Sequence, residues 1–327
     1  MTTTQPDFTS AVELARLAPS VHNTQPWHFR VEGESLVLSR DPQRRLASVD
    51  PTGRQQVISC GAALHLAAVD LRMQGFDPVV EEPARPRRDN DLAVLRPVAG
   101  HVVSTQDVTA WRAARTRHTQ RERFADRAIE PALVAELRAE AEAQGAWVRV
   151  VGDEDLPSLA VLLSHADEVE RDDPAYRAEL AQWTQRPAGS PDGLPAAATP
   201  DTTGRGSTVR LREFVLADVA GASQGTSAVA LADPPPAEHP LTIVLGTESD
   251  GVVDWLRTGG ALMALWLRAT VDGVQASLLG QVVDLDWSRA RLGAVLGVVG
   301  HPQLVLRLGY GHTGPDTPRR PVSEVLD

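Results

Sequence analysis

The sequence predicts an α+β fold, and three observations lead to that prediction. Segments with apolar residues at helical spacing alternate along the chain with short segments of strand composition. No predicted strand runs into a glycine-rich turn and then a helix, so the unit typical of a dinucleotide-binding sheet is missing. The order of elements before residue 110 is weakly repeated after it, which predicts two related halves over 1–110 and 111–327.

The first half carries clear signals for where its elements end. Apolar residues at helical spacing stop before Pro19, because proline has no N–H and disfavours helical backbone at the preceding residue. Alternating apolar residues on both sides of 32–34 predict a hairpin, and the spacing over 55–74 predicts a long helix that Gly75 ends. Further strands are predicted over 76–80 and 92–95.

The second half starts near Trp111 and is regular except for one long segment. Residues 186–239 are rich in Pro, Gly, Ala, Ser and Thr, with a single short apolar stretch at 214–219. A segment of this length is usually either functional or disordered, so a covering element and a surface insertion both remain open. Helices are predicted over 130–145, 155–169, 254–270 and 288–296, and strands over 147–151, 241–246, 282–285 and 303–308.

The charge balance favours a small-molecule function. The 327 residues include 32 basic and 43 acidic side chains, a net charge of −11, whereas a nucleic-acid or anionic-membrane partner would select for a basic face. The chain contains no lysine, which excludes a P-loop lysine and a Schiff-base lysine. Any anion site must therefore use arginine, helix N-termini or backbone amides.

The single cysteine, Cys60, excludes an internal disulfide and a thiolate metal cluster and is compatible with a reducing cytoplasm. It lies on an apolar helix face, which indicates core packing. The first residues lack the basic and apolar regions of a signal peptide, and the longest apolar run, 261–267, is far shorter than the ~20 residues that span a bilayer. We therefore expect a cytoplasmic protein with no membrane partner.

The most informative stretch is the polar loop within 18–29, between a predicted helix and a predicted strand. Such a loop can present polar side chains and backbone amides to a flat polar ligand, while Trp27 anchors its far end in the core. A capped helix end followed by a Pro-Trp turn is the alternative. The polar side chains of the loop are Ser20, His22, Asn23, Thr24 and Gln25.

The pattern Pro-Ser-x-x-Asn-x-Gln-Pro-Trp, from Pro19 to Trp27, resembles the flavin-contacting loop of the nitroreductase family, FMN enzymes that normally work as homodimers. The stretches 50–64 and 300–310 are similar to the Acg-type branch of that family, dormancy-associated proteins of actinobacteria. The resemblance covers most of the chain. It implies a nitroreductase-like fold whose two related halves form a pseudo-dimer around a single flavin, so that a monomer is possible. Residues 186–239 would then be a lid over the flavin.

The same resemblance implies a phosphate site. The segment 117–124 is similar to the Arg-x-Ser/Thr-x-basic-x-x-Phe segment with which nitroreductases hold the FMN phosphate, and an arginine fork can bind two phosphate oxygens. A solvated basic helix end is the alternative. Residues 317–321 resemble C-terminal basic residues that reach the same phosphate, although Arg319 and Arg320 fit surface positions equally well.

The ring system would be held elsewhere. The carboxamide of Asn23, with Ser20 and nearby amides, suits the polar edge of the flavin, because it can donate to one ring atom and accept from another. Classical nitroreductases often carry an acidic residue before the glycine that approaches the ring, whereas this chain has Leu279 before Gly280. The predicted cofactor-binding residues are Pro19, Ser20, Val21, Asn23, Gln25, Arg117, His118, Thr119, Arg121, Leu279, Gly280, Arg319 and Arg320; His118 suits a structural role equally well.

These features predict an FMN-dependent NAD(P)H oxidoreductase that reduces nitroaromatics, quinones or similar small electron acceptors by a ping-pong hydride transfer. No catalytic side chain is predicted, because N5 of the flavin carries the hydride. No metal site is predicted, since the sequence lacks a His-Glu-x-x-His motif or an Asp-Glu cluster. A lidded flavin-storage or redox-sensing protein with little turnover is the alternative.

Overall fold

The computed structural model contains two four-stranded antiparallel sheets, each packed against helices. This arrangement confirms the α+β class. The structure describes residues 5–82, 88–187, 189–195, 238–311, 314 and 316–327. The predicted apolar stretch 214–219 and most of the predicted lid lie outside the described residues.

The first sheet contains the strands of the N-terminal half, in the order β1-β2-β4-β3. Gly33 (φ +62°) turns the predicted hairpin, and Gly75 (φ +89°) ends the predicted long helix; both positions favour glycine because other residues are strained at positive φ. These predictions are confirmed. The elements are α1 Phe8–Ala15, β1 Trp27–Glu32, β2 Ser35–Arg40, α2 Arg54–Met73, β3 Phe76–Glu81 and β4 Asp91–Ala99.

The helix α3 (Thr105–Thr116), which connects the two sheets, was not predicted. The side chain of Ser104 accepts a hydrogen bond from the backbone N–H of Asp107, and the Asp107 carboxylate accepts one from the N–H of Ser104. This capping box satisfies two backbone donors that the first turn leaves unpaired. The Ser-x-x-Asp pattern in the sequence was the signal for it.

The second sheet has the order β5-β6-β8-β7. Most of its strands and helices agree with the predicted elements, but the helix Pro174–Thr184 and the strand Val274–Leu278 were not predicted. The elements are α4 Pro131–Glu142, β5 Trp147–Val150, α5 Leu156–Asp172, α6 Pro174–Thr184, β6 Leu241–Thr247, α7 Val252–Val271, β7 Val274–Leu278, α8 Gln281–Asp284, α9 Asp286–Val295 and β8 His301–Tyr310.

One strand prediction was wrong. Residues 282–285 were expected to form a strand, but Gln281–Asp284 is the short helix α8, and the strand beside β8 is Val274–Leu278. Val282 and Val283 are fully buried against neighbouring helices, and this packing outweighs the preference of valine for strands. A short apolar run cannot distinguish a buried strand from a buried helix turn.

The two sheets repeat one topology. In each half two strands precede a 20-residue helix and two strands follow it, and the sheet orders correspond. In the second half, α5 and α6 separate the first two strands, and α8 and α9 separate the last two. The two long helices, α2 and α7, cross at Gly61 and Gly259. A Cβ at either glycine would lie 2.0 Å from a backbone oxygen of the other helix, so the helices approach as closely as their backbones allow.

Two segments cross from one half to the other. The C-terminal residues extend the first sheet, because the N–H of Phe29 in β1 donates to the carbonyl of Val325 (2.7 Å) and the N–H of Asp327 donates to the carbonyl of Phe29 (3.0 Å). The segment after α3 meets the second sheet, where the N–H of Gln120 donates to the carbonyl of Ala276 in β7 (2.8 Å). Residues distant in sequence therefore meet between the halves.

Candidate active site

A cleft between the two halves contains most of the predicted cofactor-binding residues. It has an empty volume of about 1200 Å³ and opens to solvent. The loop after α1, both long helices, the β7–α8 turn and the C-terminal segment all contribute to it. Its lining residues are Pro19, Ser20, Val21, His22, Asn23, Gln55, Ile58, Ser59, Thr119, Arg121, Leu194, Leu262, Ser277, Leu278, Leu279, Gly280, Gln281, Asp284, Leu304, Val305, Thr317 and Arg319.

The loop after α1 has a strained backbone. His22, Asn23 and Gln25 have φ values of 46°, 55° and 49°, a region that non-glycine residues rarely adopt. Two side chains hold this conformation: the hydroxyl of Ser20 accepts from the N–H of Gln25 (2.9 Å), and the hydroxyl of Ser59 accepts from the N–H of Val21 (3.2 Å). Backbone strain of this kind clusters at functional sites.

The carboxamide of Asn23 joins three segments at one end of the cleft. Its Nδ2 donates to the carbonyls of Gly193 (2.8 Å) and Pro318 (3.0 Å), and its Oδ1 accepts from Nη1 of Arg319 (3.1 Å). Both N–H groups of this amide are therefore engaged within the protein. Asn23 positions the segment 189–195 and the C-terminal residues against the loop.

Two predicted residues, Gln25 and Arg320, lie behind the cleft wall. The side chain of Gln25 donates to the carbonyl of Pro191 (2.9 Å) and accepts from the N–H of Arg320 (2.8 Å). The guanidinium of Arg320 donates to the carbonyl and the carboxylate of Glu324. Both side chains are buried and connect the loop to its neighbours.

Three arginines converge at the end of the cleft near the loop. Arg117 and Arg319 each donate to the carbonyl of Leu17, at 3.2 and 3.3 Å, and Arg121 and Arg319 both line the cleft. Among the described residues, none of the three forms an ion pair with a carboxylate. Nε and Nη1 of Arg117 and Nε of Arg319 are buried without a hydrogen-bond partner in that part of the chain.

Burial and mutual repulsion change the electrostatics of these arginines. Burial, and then repulsion by Arg319 and Arg121, lowers the pKa of Arg117 to about 9. Burial also lowers the pKa of Arg121 to about 10, and burial with repulsion by Arg121 and Arg16 lowers that of Arg319 to about 10. All three remain charged at neutral pH. Concentrated, desolvated positive charge with unpaired N–H groups favours a bound anion.

The other predicted residues lie around this cluster. Thr119 forms a bridge to Ala276 in β7 and lines the cleft. His118 faces Asp316, with Nε2 3.5 Å from Oδ1, and burial lowers its pKa. Leu279, whose N–H donates to the carbonyl of Val305 (2.9 Å), is followed by Gly280 at the start of α8, and both line the cleft.

A polar group at another part of the cleft was missed by sequence reasoning. Nε2 of Gln55 in α2 donates to Oδ1 of Asp284 in α8 (3.0 Å), and Nη2 of Arg54 lies 3.7 Å from the same oxygen. Arg54 also donates to the carbonyls of Gln303 (2.6 Å) and Val283 (2.5 Å), so it joins the halves. The only signal was the position of Arg54 and Gln55 within the stretch 50–64.

Among the described residues, no group of three or more His, Cys, Asp or Glu side chains could hold a metal ion. None of the helices in the described ranges is long and apolar enough to cross a bilayer. Cys60 is fully buried, and burial raises the pKa of its thiol, as expected for core packing.

Comparisons with known proteins identify relatives over almost the whole chain. "Putative NAD(P)H nitroreductase Rv3131" of Mycobacterium tuberculosis is 32% identical over 97% of this chain and 90% of that protein. "Putative NAD(P)H nitroreductase acg" of the same organism is 29% identical over 97% of this chain and 94% of that protein.

No protein-family model matches the chain. A nitroreductase-like family protein from Bacillus cereus, known from a crystal structure, is 14% identical, with a TM-score of 0.35 over 66% of this chain and 92% of that one.

Proposed function

The chain belongs to the Acg-type branch of the NAD(P)H nitroreductase family, and from this premise we propose that it is an FMN-dependent oxidoreductase that passes hydride from NAD(P)H to a small electron acceptor. Nitroaromatics and quinones are the acceptor classes proposed. The observation that carries the proposal is the cluster of Arg117, Arg121 and Arg319, which lies beside the cleft and forms no ion pair with a carboxylate among the described residues.

The arginine cluster fits a phosphate. The unpaired N–H groups of Arg117 and Arg319 and the guanidinium of Arg121 could each make a charge-assisted hydrogen bond to a phosphate oxygen. The hydroxyl of Thr119 could donate another. A bound dianion would also offset the mutual repulsion that, after burial, lowers the pKa values of Arg117 and Arg319. We propose that these residues hold the FMN phosphate.

The rest of the cleft suits a planar ring. Ile58, Leu262 and Leu304 provide apolar walls from α2, α7 and β8, while the strained loop offers its backbone around Val21. Most ligand sites are apolar clefts with a few oriented polar groups. In this proposal Leu279 and Gly280 approach the ring without an acidic side chain, and Asn23 acts on the ring mainly by fixing the loop.

When bound, FMN would supply the hydride chemistry, alternately accepting and donating at N5. The protein would contribute binding, orientation and exclusion of water. Gln55 is held by Asp284 and faces the same cleft, so its carboxamide can hydrogen-bond the polar group of an acceptor. Asp284, beside the cation Arg54, gives that part of the cleft a fixed polarity.

The cleft beside the arginine cluster supports a pseudo-dimer. Its loop comes from the first half, its arginine segment meets β7 of the second, and the two halves repeat one topology. One chain thus supplies both sides, so the protein can be monomeric and active. The division at residue 110 and a cytoplasmic location stay predictions.

A lid that opens would allow turnover, whereas a lid that stays closed would make a flavin-storage or redox-sensing protein. Of the residues of the proposed lid, 186, 187, 189–195, 238 and 239 are described. Among them, Leu194 lines the cleft and the carbonyl of Gly193 accepts a hydrogen bond from Asn23. This hydrogen bond holds the start of the segment against the loop, which favours a segment that restricts access to the cleft. Flavin storage or redox sensing is therefore the second candidate function.

Flavin extraction tests the proposal. The pure holoprotein should release one FMN per chain with acid, identified by chromatography, because the loop at Pro19 and the segment at Arg117 each occur once. A ratio near two, FAD, or no flavin after reconstitution would contradict it. In anaerobic stopped flow, rapid bleaching by NADH or NADPH and reoxidation by a nitro compound would support the enzyme, whereas slow or no bleaching would support storage.

A further inference from the structure

A second cleft lies on the other side of the α2–α7 crossing. It has an empty volume of about 990 Å³ and opens to solvent. One face of α2, alternate residues of β3, the turn after α4 and the first turns of α7 line it. None of the predicted cofactor-binding residues belongs to it, so the proposed flavin function leaves it unexplained.

The repeated topology relates this second cleft to the first. The first takes Ile58 from the beginning of α2 and Leu262 from the middle of α7, whereas the second takes Leu256 from the beginning of α7 and Leu64 from the middle of α2. In the same way β7 lines the first cleft and β3 lines the second. The second cleft is thus the counterpart of the first in the other half.

The features that suit FMN are missing from the counterpart. The loop at 16–26 corresponds to the short turn 143–146. No trio of arginines lines the second cleft: Arg257 is paired with Glu82 through two hydrogen bonds of 3.0 and 2.9 Å, which leaves Arg72 as the other lining cation in the described part of the chain. One free cation suits a monoanion better than a phosphate dianion.

Three polar side chains line this cleft without a hydrogen-bond partner among the described residues: His65, Arg72 and Gln144. Burial, and then the charge of Arg72, lowers the pKa of His65 to about 4, so the imidazole is neutral at pH 7 and can donate one hydrogen bond. Leu64 and Ala68 provide an apolar wall on the same helix face.

From this arrangement we propose that the second cleft binds a small aromatic monocarboxylate. The guanidinium of Arg72 holds the carboxylate, with His65 and Gln144 as further donors. The aromatic body lies against the apolar face of α2. Neither of these contacts involves a flavin, so the inference does not rest on the proposed function.

Benzoate, with the uncharged benzamide as its control, is the probe, and binding to the purified holoprotein is measured by calorimetry. Arg72→Gln should weaken benzoate binding about 10-fold or more, since it removes a charge-assisted contact, and should change benzamide binding little. Arg112→Gln, at an exposed position on α3, is the matched control and should change neither.

A second variant keeps the test decisive if Arg72→Gln folds poorly. Gly260 lines the cleft, and a Cβ there would lie 3.3 Å from Oε1 of Gln144 and 4.0 Å from Nδ1 of His65, so Gly260→Leu should fill the cleft and abolish binding. Absence of benzoate binding, or retention of full affinity in Gly260→Leu, would overturn the proposal. So would loss of binding in Arg121→Ala but not in Arg72→Gln, because the carboxylate would then occupy the first cleft.

Discussion

The two clefts occupy corresponding positions in one repeated topology and yet differ in charge and in backbone. The first lies beside three arginines, two of which, Arg117 and Arg319, have buried N–H groups without a partner among the described residues, and its loop has three non-glycine residues at positive φ. The second has one cation free of an ion pair among its described lining residues, and a short turn in which Gly145 (φ +82°) adopts positive φ without strain. The fold supplies the space, and a few side chains and one strained loop determine which ligand each space suits.

The helix crossing is the wall that both clefts share, and breaking it should give the largest effect. Gly259→Ala would place a Cβ 2.0 Å from the carbonyl oxygen of Ile58, so the helices must separate. We expect a loss of at least about 3 kcal/mol in the free energy of unfolding, measured by chemical denaturation.

The neighbouring glycine provides the matched control for that variant. A Cβ at Gly260 would meet only the end of the flexible Gln144 side chain, so Gly260→Ala should be neutral or should stabilise by up to about 1 kcal/mol through helix propensity. Similar stabilities for the two variants would show that the crossing is not close-packed as described.

Arg121→Ala tests the charge difference between the two clefts. Loss of a charge-assisted contact of about 1.5–3 kcal/mol should weaken FMN about 10- to 150-fold, as measured by titration of the apoprotein. Riboflavin, which has no phosphate, should be affected far less. If riboflavin loses as much affinity as FMN, Arg121 stabilises the fold and the assignment to the phosphate fails.

The strained loop distinguishes the first cleft in a second way, which Asn23→Ala tests. The variant leaves the carbonyls of Gly193 and Pro318 without their donor and frees Arg319, so the loop should loosen. FMN and riboflavin should both bind roughly 10-fold more weakly, an effect of about 1.4 kcal/mol. A loss confined to FMN would indicate that Asn23 acts only through Arg319.

The smallest expected effect concerns His65 in the second cleft. Its pKa is about 4 in the folded protein and 6.5 in the unfolded chain, so the unfolded chain binds the proton first as the pH falls. The contribution of neutral His65 to the free energy of unfolding is complete above pH 6.5 and is lost between pH 6.5 and 4. The loss should be about 1 kcal/mol, because His65 keeps some exposure to solvent. His65→Gln should flatten this part of the stability–pH curve, and an unchanged slope would contradict the burial of His65.

The parts of the fold that could be predicted are those with local signals in the sequence. Gly33 and Gly75 mark ends of elements through backbone restrictions that act within a few residues, and those ends were predicted correctly. Helix α1 ends at Ala15, earlier than the end that Pro19 predicted. The helical state of Val282 and Val283 was not predictable in this way, because it depends on burial against helices that only the folded chain brings together. Local preference fails where packing decides.

The site shows the same limit. The Pro19 loop was identified from its residue types and its resemblance to a family, but the pairing of Gln55 with Asp284 joins residues 229 positions apart and has no local signature. The proximity of Arg117 to Arg319 was expected only through the resemblance, because nothing in the spacing of these residues requires it. The role of all these side chains toward FMN stays a prediction until binding is measured.

The long-range bonds of Asn23 also have a consequence for folding kinetics. The contact between Asn23 and Pro318 spans 295 positions, and that between Asn23 and Gly193 spans 170, so the chain must close very large loops before the first cleft exists. Contacts of such sequence separation are slow to form. We expect the cleft to be absent from the folding transition state, so that a ligand bound there would slow unfolding while leaving the folding rate almost unchanged.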